Sequence, residues 1–390
     1  MGELVYDPYS TELHRDPYPV YRRLRDEAPV FRNDRHDFYA ISRHADVWAA
    51  FHDWKRLSSA KGITLEGLPP DIHPELITMD PPRHDELRDL VKRAFRSNHM
   101  APLFARIRRI ADELVAEIDP EDCDLARDLS IPMPAIAIAE LLGVPRADVP
   151  RFRIWSEHLV QRDLNNPPTI ERAKKASGEL HDFLMWHIGR QRADPKDDML
   201  GLLVRAADEA AAMNDNELVG FARLLLVAGN ETTGQLVGNM IVALALNPDQ
   251  RAEIATDPAL ARRAVEETLR FDSAVQALAR TTLVDYEVAG VIVPEGARLL
   301  MVMGSANRDE RVFDEPDRFD IHRDPHSIAR HVGFGRGIHF CLGAMLARSE
   351  AESALNALLA RFSEYRLNID EVRMVPSGQV RGPLALPVEL

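Results

Sequence analysis

The sequence predicts a mainly α protein with a small β component, folded as a single domain over residues 1–390. Three observations carry this. Helical hydrophobic periodicity recurs along most of the chain. One helical pattern, about 215–246, is long enough to cross a large domain. No Gly/Ser linker, composition break or internal repeat divides the chain.

In chain order, DPYPVYRRLRDEAPV (16–30) reads as an amphipathic helix opened by Pro17 and closed before Pro29. VFRN (30–33) and FYAISRH (38–44) alternate apolar and polar residues as a hairpin does, and ADVWAAFHD follows as helix. KGITLEGLPPDIHPELITMDPP (61–82) has too much proline and glycine for a sustained period. It predicts a long loop with one helical turn, a kind of loop that often carries function. Helix returns from Arg83 to about Ile118, with many basic residues. The longest pattern opens on a capping box, Asn214 with Glu217, and stops before Asn247-Pro248. At about 1.5 Å per residue it spans roughly 45–50 Å. A helix at 258–271 precedes YEVAGVIVPEGARLLMVM (286–303), which reads as strands separated by turns.

Composition excludes several functions. A net charge of −14 argues against nucleic acid as a partner, because phosphate binding needs a concentrated basic surface. Two cysteines, Cys123 and Cys341, make neither a disulfide framework nor a four-cysteine zinc site, and free thiols fit a reducing compartment. MGELVYDPYS lacks the features of a signal peptide, and LVGNMIVALAL (236–246) is too short to span a bilayer. The expectation is a cytoplasmic protein with no membrane attachment.

The chemistry concentrates in GFGRGIHFCLG (333–343), where glycines surround Cys341. A buried structural thiol is the usual fate of a free cysteine. The glycines oppose that reading, since they let the backbone approach something closely or take positive φ. The helix predicted after Cys341 places the sulfur near an N-terminus, where the dipole favours a thiolate. A phosphate loop fails, because Phe340 stands where the third glycine of G-x-G-x-x-G belongs and no Walker lysine follows. A thiolate on haem iron explains both the flat, open loop and the donor at His339.

The stretch from Phe334 to Gly343, F-G-x-G-x-H-x-C-x-G, resembles the haem-binding loop of the cytochrome P450 superfamily. AGNETT (228–233), midway along the longest helix, resembles that family's acid–alcohol motif, although Gly229, Thr232 and Thr233 also suit a small-residue packing notch. EETLR (266–270) and PDRF (316–319) resemble its E-x-x-R and PERF elements, which gives Glu267, Arg270 and Arg318 as a structural network. Such motifs occur in the expected order along nearly the whole chain.

The resemblance implies the cytochrome P450 fold, with the 215–246 helix crossing over haem b. It implies Cys341 as the axial iron ligand and Phe334, Gly335 and Ala228 as haem contacts. His84, Arg88, Arg280 and His339 would be propionate donors. Glu231 and Thr232 would deliver protons, Thr232 by way of a distorted turn that makes room for dioxygen. The implied activity is monooxygenation: one oxygen atom of O2 enters an apolar, small-to-medium organic substrate by hydroxylation, epoxidation or O-dealkylation. Electrons would come from an external ferredoxin and a reductase using NAD(P)H, docking on basic residues such as Arg93, Arg96, Arg336 and Arg348. The pocket would draw on Ile63, Leu65, Leu68, Leu225, Val275, Leu278 and Leu384, with Gln276, His158 or Arg381 as a polar anchor. A peroxide-driven haem-thiolate peroxygenase and a non-catalytic haem sensor are the alternatives, and the Glu231-Thr232 pair counts against the first.

Overall fold

The structure is a computed structural model that describes residues 3–68, 74–94, 97–196, 198–210 and 213–390; the side chains of 93, 94, 97–101, 209 and 210 lie outside that description. The strands are β1 (Val30–Asn33), β2 (Phe38–Ile41), β3 (Leu57–Ser58), β4 (Ala277–Thr282), β5 (Tyr286–Val288), β6 (Val291–Val293) and β7 (Arg298–Val302). Five of them form a sheet in the order β1-β2-β7-β4-β3. The predicted hairpin is β1–β2, with Val30 opposite Ile41, while β2 and β7 run parallel. β5 and β6 make a separate hairpin turned by Ala289 and Gly290, both at positive φ as a two-residue hairpin turn requires. Of the 61–82 stretch, the described part is loop, with one 3-10 turn at Leu76–Thr78.

Helices build the rest. The helical stretch expected from Arg83 to about Ile118 contains helices Arg83–Ala94 and Ser97–Glu117. The central helix, Asp215–Ala245, begins at the predicted box: the Glu217 amide donates to Asn214 Oδ1 and the Asn214 amide to Glu217 Oε2, each at 3.0 Å. It is buried on nearly every side by helices Pro132–Leu141, Val149–Val160, Pro167–Ala193 and Ala344–Arg361, so its apolar residues have no single stripe. Its glycines bring backbones together. A Cβ on Gly234 would stand 2.9 Å from Ser130 O, and one on Gly238 2.5 Å from the Pro383 ring.

Apolar side chains divide into one large cluster among the helices and two smaller ones on the sheet's faces, around Phe51–Leu299–Val332 and around Tyr6–Phe38–Leu300. Each fully buried large side chain contributes about 1.5–3 kcal/mol. Among the described residues, no helix is long and apolar enough to cross a membrane.

The E-x-x-R element, on helix Ala261–Phe271, corrects one expectation. Arg270 binds Glu267 bidentately at 2.7 and 2.9 Å and donates to the carbonyls of Asn307, Pro316 and Arg318. The Arg318 side chain is not part of this network; it is more than half exposed and pairs with Glu315. Arg323 takes the place instead, with Nε 3.2 Å from Glu267 and its side chain 8% exposed. The PDRF stretch supplies a carbonyl, and the arginine comes five residues later.

Candidate functional site

Two left-handed glycines shape the cysteine loop. Gly335 has φ +65° and Gly337 φ +68°. At Gly337 a Cβ would lie 2.2 Å from Phe51 O, so only glycine lets the loop seat against helix His44–His52. Loop hydrogen bonds then fix the cysteine: the Cys341 amide donates to Phe334 O at 3.0 Å, and the Gly335 amide to Val332 O at 2.8 Å. Asn307 Oδ1 accepts from the Val332 amide at 2.7 Å, tying the loop to the E-x-x-R network. Two arginine–aromatic pairs and an ion pair brace it further. Arg336 lies over Trp48, Arg348 over Phe334, and Arg348 also binds Glu266, which His331 contacts from the other side. Burial opposes ionisation of Glu266, but the His331 and Arg348 hydrogen bonds outweigh it and hold the carboxyl at about 2.

Cys341 is partly exposed and precedes helix Ala344–Arg361, as expected. Burial pushes its thiol up, while the Gly343 amide and the charges of Arg88 and Arg348 pull it down. The helix start alone therefore does not make a thiolate; desolvation wins until a metal displaces the proton.

On the other side of Cys341 lies a crowd of nitrogen donors. His84 is fully buried; its Nδ1 is 2.8 Å from Asp85, and its Nε2 has no partner. The His84 ring meets His339 edge-on at 4.6 Å. His339 Nε2 lies 3.2 Å from Ser59 Oγ, and burial with the nearby Arg280, His84 and Arg88 drives its pKa down to about 2. Arg280 is 4% exposed, donates to Ala279 O, and is pushed down to about 10 by desolvation. Arg88 donates to Phe340 O at 2.6 Å through one guanidinium nitrogen, which leaves its other N–H groups for an anion. A set of buried cations and an orphaned imidazole nitrogen, with Asp80 held by Ser58 and Ser59, demands an anion. The two carboxylates of a haem fit that demand, and the open glycine loop fits its flat ring.

Facing this region is the middle of the central helix. Ala228 is exposed and Thr232 half-exposed in a helix most of whose residues are buried, so this turn borders accessible space. The expected distortion is absent from the helix assignment: the turn is continuous α-helix, with Thr232 Oγ donating to Ala228 O at 2.6 Å. The packing-notch reading is also right on the helix's back, where Gly229 meets Ile138. Glu231 is 9% exposed; burial, helped by Glu157, pushes it up to about 7 against Arg153 and a hydrogen bond from Gln235.

Several expected pocket and docking residues have other work. Arg381 pairs with Asp272 and the carbonyls of His14 and Arg15; Gln276 is 5% exposed and donates to Ser273 O. Leu65 packs toward the Tyr6–Phe38 cluster. Arg336 and Arg348 contact the loop and its supports, Arg336 over Trp48 and Arg348 against Glu266. Arg96 and the Arg93 side chain lie outside the described residues. The isolated bridge Val275–Val380 does bring the expected C-terminal loop against β4. Ser59 and Arg323 were not anticipated. Arg323 had a signal in the FDIHR run, whereas Ser59 is placed only by tertiary contact.

This arrangement, a cysteine on a left-handed glycine loop opposite a long helix, defines a class of iron–porphyrin enzymes. The family profile described as Cytochrome P450 matches residues 163–383. The vitamin D(3) 25-hydroxylase of Pseudonocardia autotrophica is 41% identical over 401 residues, covering 100% of this chain and 97% of that one. The cyclomarin C epoxidase of Salinispora arenicola is 36% identical over 387 residues, 97% of each chain. The crystal structure of a Bacillus megaterium cytochrome P450 in complex with testosterone superposes with a TM-score of 0.90 at 34% identity, over 97% of this chain and 99% of that one. The chain belongs to the cytochrome P450 family, and it is a haem-iron monooxygenase.

Proposed function

We propose that the chain, working as one domain, binds haem b through Cys341 and oxidises an apolar, small-to-medium organic substrate, with electrons from a ferredoxin and its NAD(P)H-dependent reductase. The observation that carries the site assignment is the anion-demanding cluster of His84, Arg280 and His339 beside the cysteine loop. When bound, haem supplies the activation of O2 and the transfer of one oxygen atom. The chain supplies the rest. Cys341 would hold the iron as a thiolate, with the Gly343 amide and Arg88 favouring the sulfur charge. His84, Arg280 and His339 hold the propionates, and Phe334, Gly335 and Ala228 contact the ring.

Glu231, pushed to about 7, is poised between acid and base at neutral pH and supplies protons. The Thr232 hydroxyl, which donates to Ala228 O at 2.6 Å, would be the side-chain donor on this wall of the site. Leu225, Val275 and Leu278, all partly buried, contribute apolar wall. The steroid-like ligands named for two similar proteins support this substrate range.

A Soret titration of the ferric protein with steroids, terpenoids, aromatic acids, fatty acids and macrolides tests the reading. A low-to-high-spin shift with one class supports it and names the substrate. A Cys341→Ser protein that kept a thiolate-type ferrous–carbonyl spectrum would refute the ligand assignment. Peroxide-driven turnover matching ferredoxin-driven turnover would move the enzyme to the peroxygenases.

A further inference from the structure

His84 is the second residue of helix Arg83–Ala94 and fully buried, yet its two ring nitrogens keep different company. Nδ1 lies 2.8 Å from Asp85 Oδ1, whereas Nε2 is buried without a partner. An ionised carboxylate only accepts hydrogen bonds, so Nδ1 carries a hydrogen. A neutral imidazole has a single N–H. In that form Nε2 presents a lone pair, which repels a carboxylate. Binding a haem propionate there while Asp85 stays in place takes a second hydrogen, on Nε2, and with it a positive ring.

Most of the surroundings oppose such a charge. The ring lies in the first turn of its helix, where the dipole disfavours a cation. Arg88, one turn further on, and Arg280, from β4, both act on His339, whose ring meets His84 edge-on at 4.6 Å. Arg88 also feels Cys341, Asp85 and Asp89. Asp80 offers its carbonyl to the His84 amide, but its carboxylate accepts from Ser58 and Ser59 and acts on Arg280. Among the described residues, Asp85 is therefore the carboxylate that meets the ring itself. Its side chain is 60% exposed, which gives the buried imidazole a contact with a group in water. Asp80 and Asp85 cancel the charges of Arg88 and Arg280. The two carboxylates of a haem are then unbalanced unless His84 is positive.

We propose that Asp85 is a positioning residue for the haem: it keeps His84 as an imidazolium whose Nε2–H binds a propionate, so that haem retention depends on one proton drawn from water. The inference rests on the propionate role given to His84 above. Asp85 touches neither iron nor porphyrin and acts through the ring alone.

The test uses the holoprotein of wild type, Asp85→Asn, Asp85→Glu and His84→Leu. Haem transfer from the ferric protein to apomyoglobin is timed between neutral and alkaline pH. Wild type should lose haem faster as pH rises, because the imidazolium gives up its proton. In Asp85→Asn the ring can stay neutral, and either tautomer lacks the charge. A hydrogen bond to a charged group is worth tenfold or more in rate, and screening at the exposed Asp85 reduces the expected acceleration at neutral pH to about three- to tenfold. The Asp85→Asn profile should also be flatter, and Asp85→Glu should restore most of the retention and the slope. The ring charge is read directly by nitrogen-15 NMR of histidine-labelled ferrous carbonyl protein, which is diamagnetic, with His84→Leu identifying the resonances. Both His84 nitrogens should bear hydrogen in wild type and one in Asp85→Asn. A neutral His84 in wild type overturns the proposal. So does a lowered melting temperature in Asp85→Asn with an unchanged transfer profile, which a merely structural residue would give. If His84→Leu retains haem as well as wild type does, the propionate role itself fails and takes the inference with it.

Discussion

Glu231 and Arg280 show how burial sets what a single side chain can do. A carboxyl near 7 exchanges its proton at neutral pH, so product formed per NAD(P)H consumed should fall as pH rises through about 7. Glu231→Gln should flatten that profile, and a profile unchanged in the variant would remove Glu231 from proton delivery. Arg280, a buried cation with a backbone carbonyl as its acceptor, should hold a propionate strongly. Arg280→Gln is expected to speed haem loss to a scavenger protein by about tenfold or more while leaving the Soret position of the remaining holoprotein in place. Residue identities such as Cys341, His339 and Thr232 were readable because the spacing of a short motif survives without any knowledge of the fold. The backbone carbonyls that Arg88 and Arg381 reach were not legible: an arginine's length lets it turn to a carbonyl nearby, and sequence spacing carries no information about which acceptor is nearest.

At the level of elements, the E-x-x-R helix and the segment after it lock the cysteine loop from behind. Arg323 is buried against Glu267 and Arg318 is largely exposed, so their removal should differ sharply. Arg323→Ala is expected to cost about 1.5–3 kcal/mol, since it removes a buried charge-assisted bond to Glu267 that Arg270 only partly replaces; Arg318→Ala should stay within about 1 kcal/mol. Urea midpoints of the two variants check this, and equal midpoints would show that burial does not separate them. Helices with capping boxes and proline stops, such as Asp215–Ala245, were legible to within a residue or two because their signals are local. The tie between Arg323 and Glu267 was not, because it joins residues that only the fold brings together.

Over the whole molecule, stability should depend on pH through Glu350. It lies 1% exposed on helix Ala344–Arg361, neither carboxyl oxygen has a partner, and burial pushes it up to about 8. The folded state keeps this proton longer than the unfolded chain does. The associated stability is therefore whole below about pH 4.5 and drains away as pH rises to about 8. Glu350→Gln should remove most of that loss, raising the melting temperature more at pH 8 than at pH 5; an equal rise at both would mean that Glu350 is neutral throughout.

The glycines on the back of the central helix carry a consequence for ancestry. Gly234 and Gly238 press the helix against the Ser130 carbonyl and the Pro383 ring with no room for a methyl group, so the turn bearing Ala228 and Thr232 cannot shift without rebuilding two other segments. A lineage that acquires new substrates is then obliged to leave this wall alone and to diversify the flanking loops. Chains that share the scaffold at 36–41% identity with this one yet carry names as different as a vitamin D(3) 25-hydroxylase and a cyclomarin C epoxidase fit such a constraint.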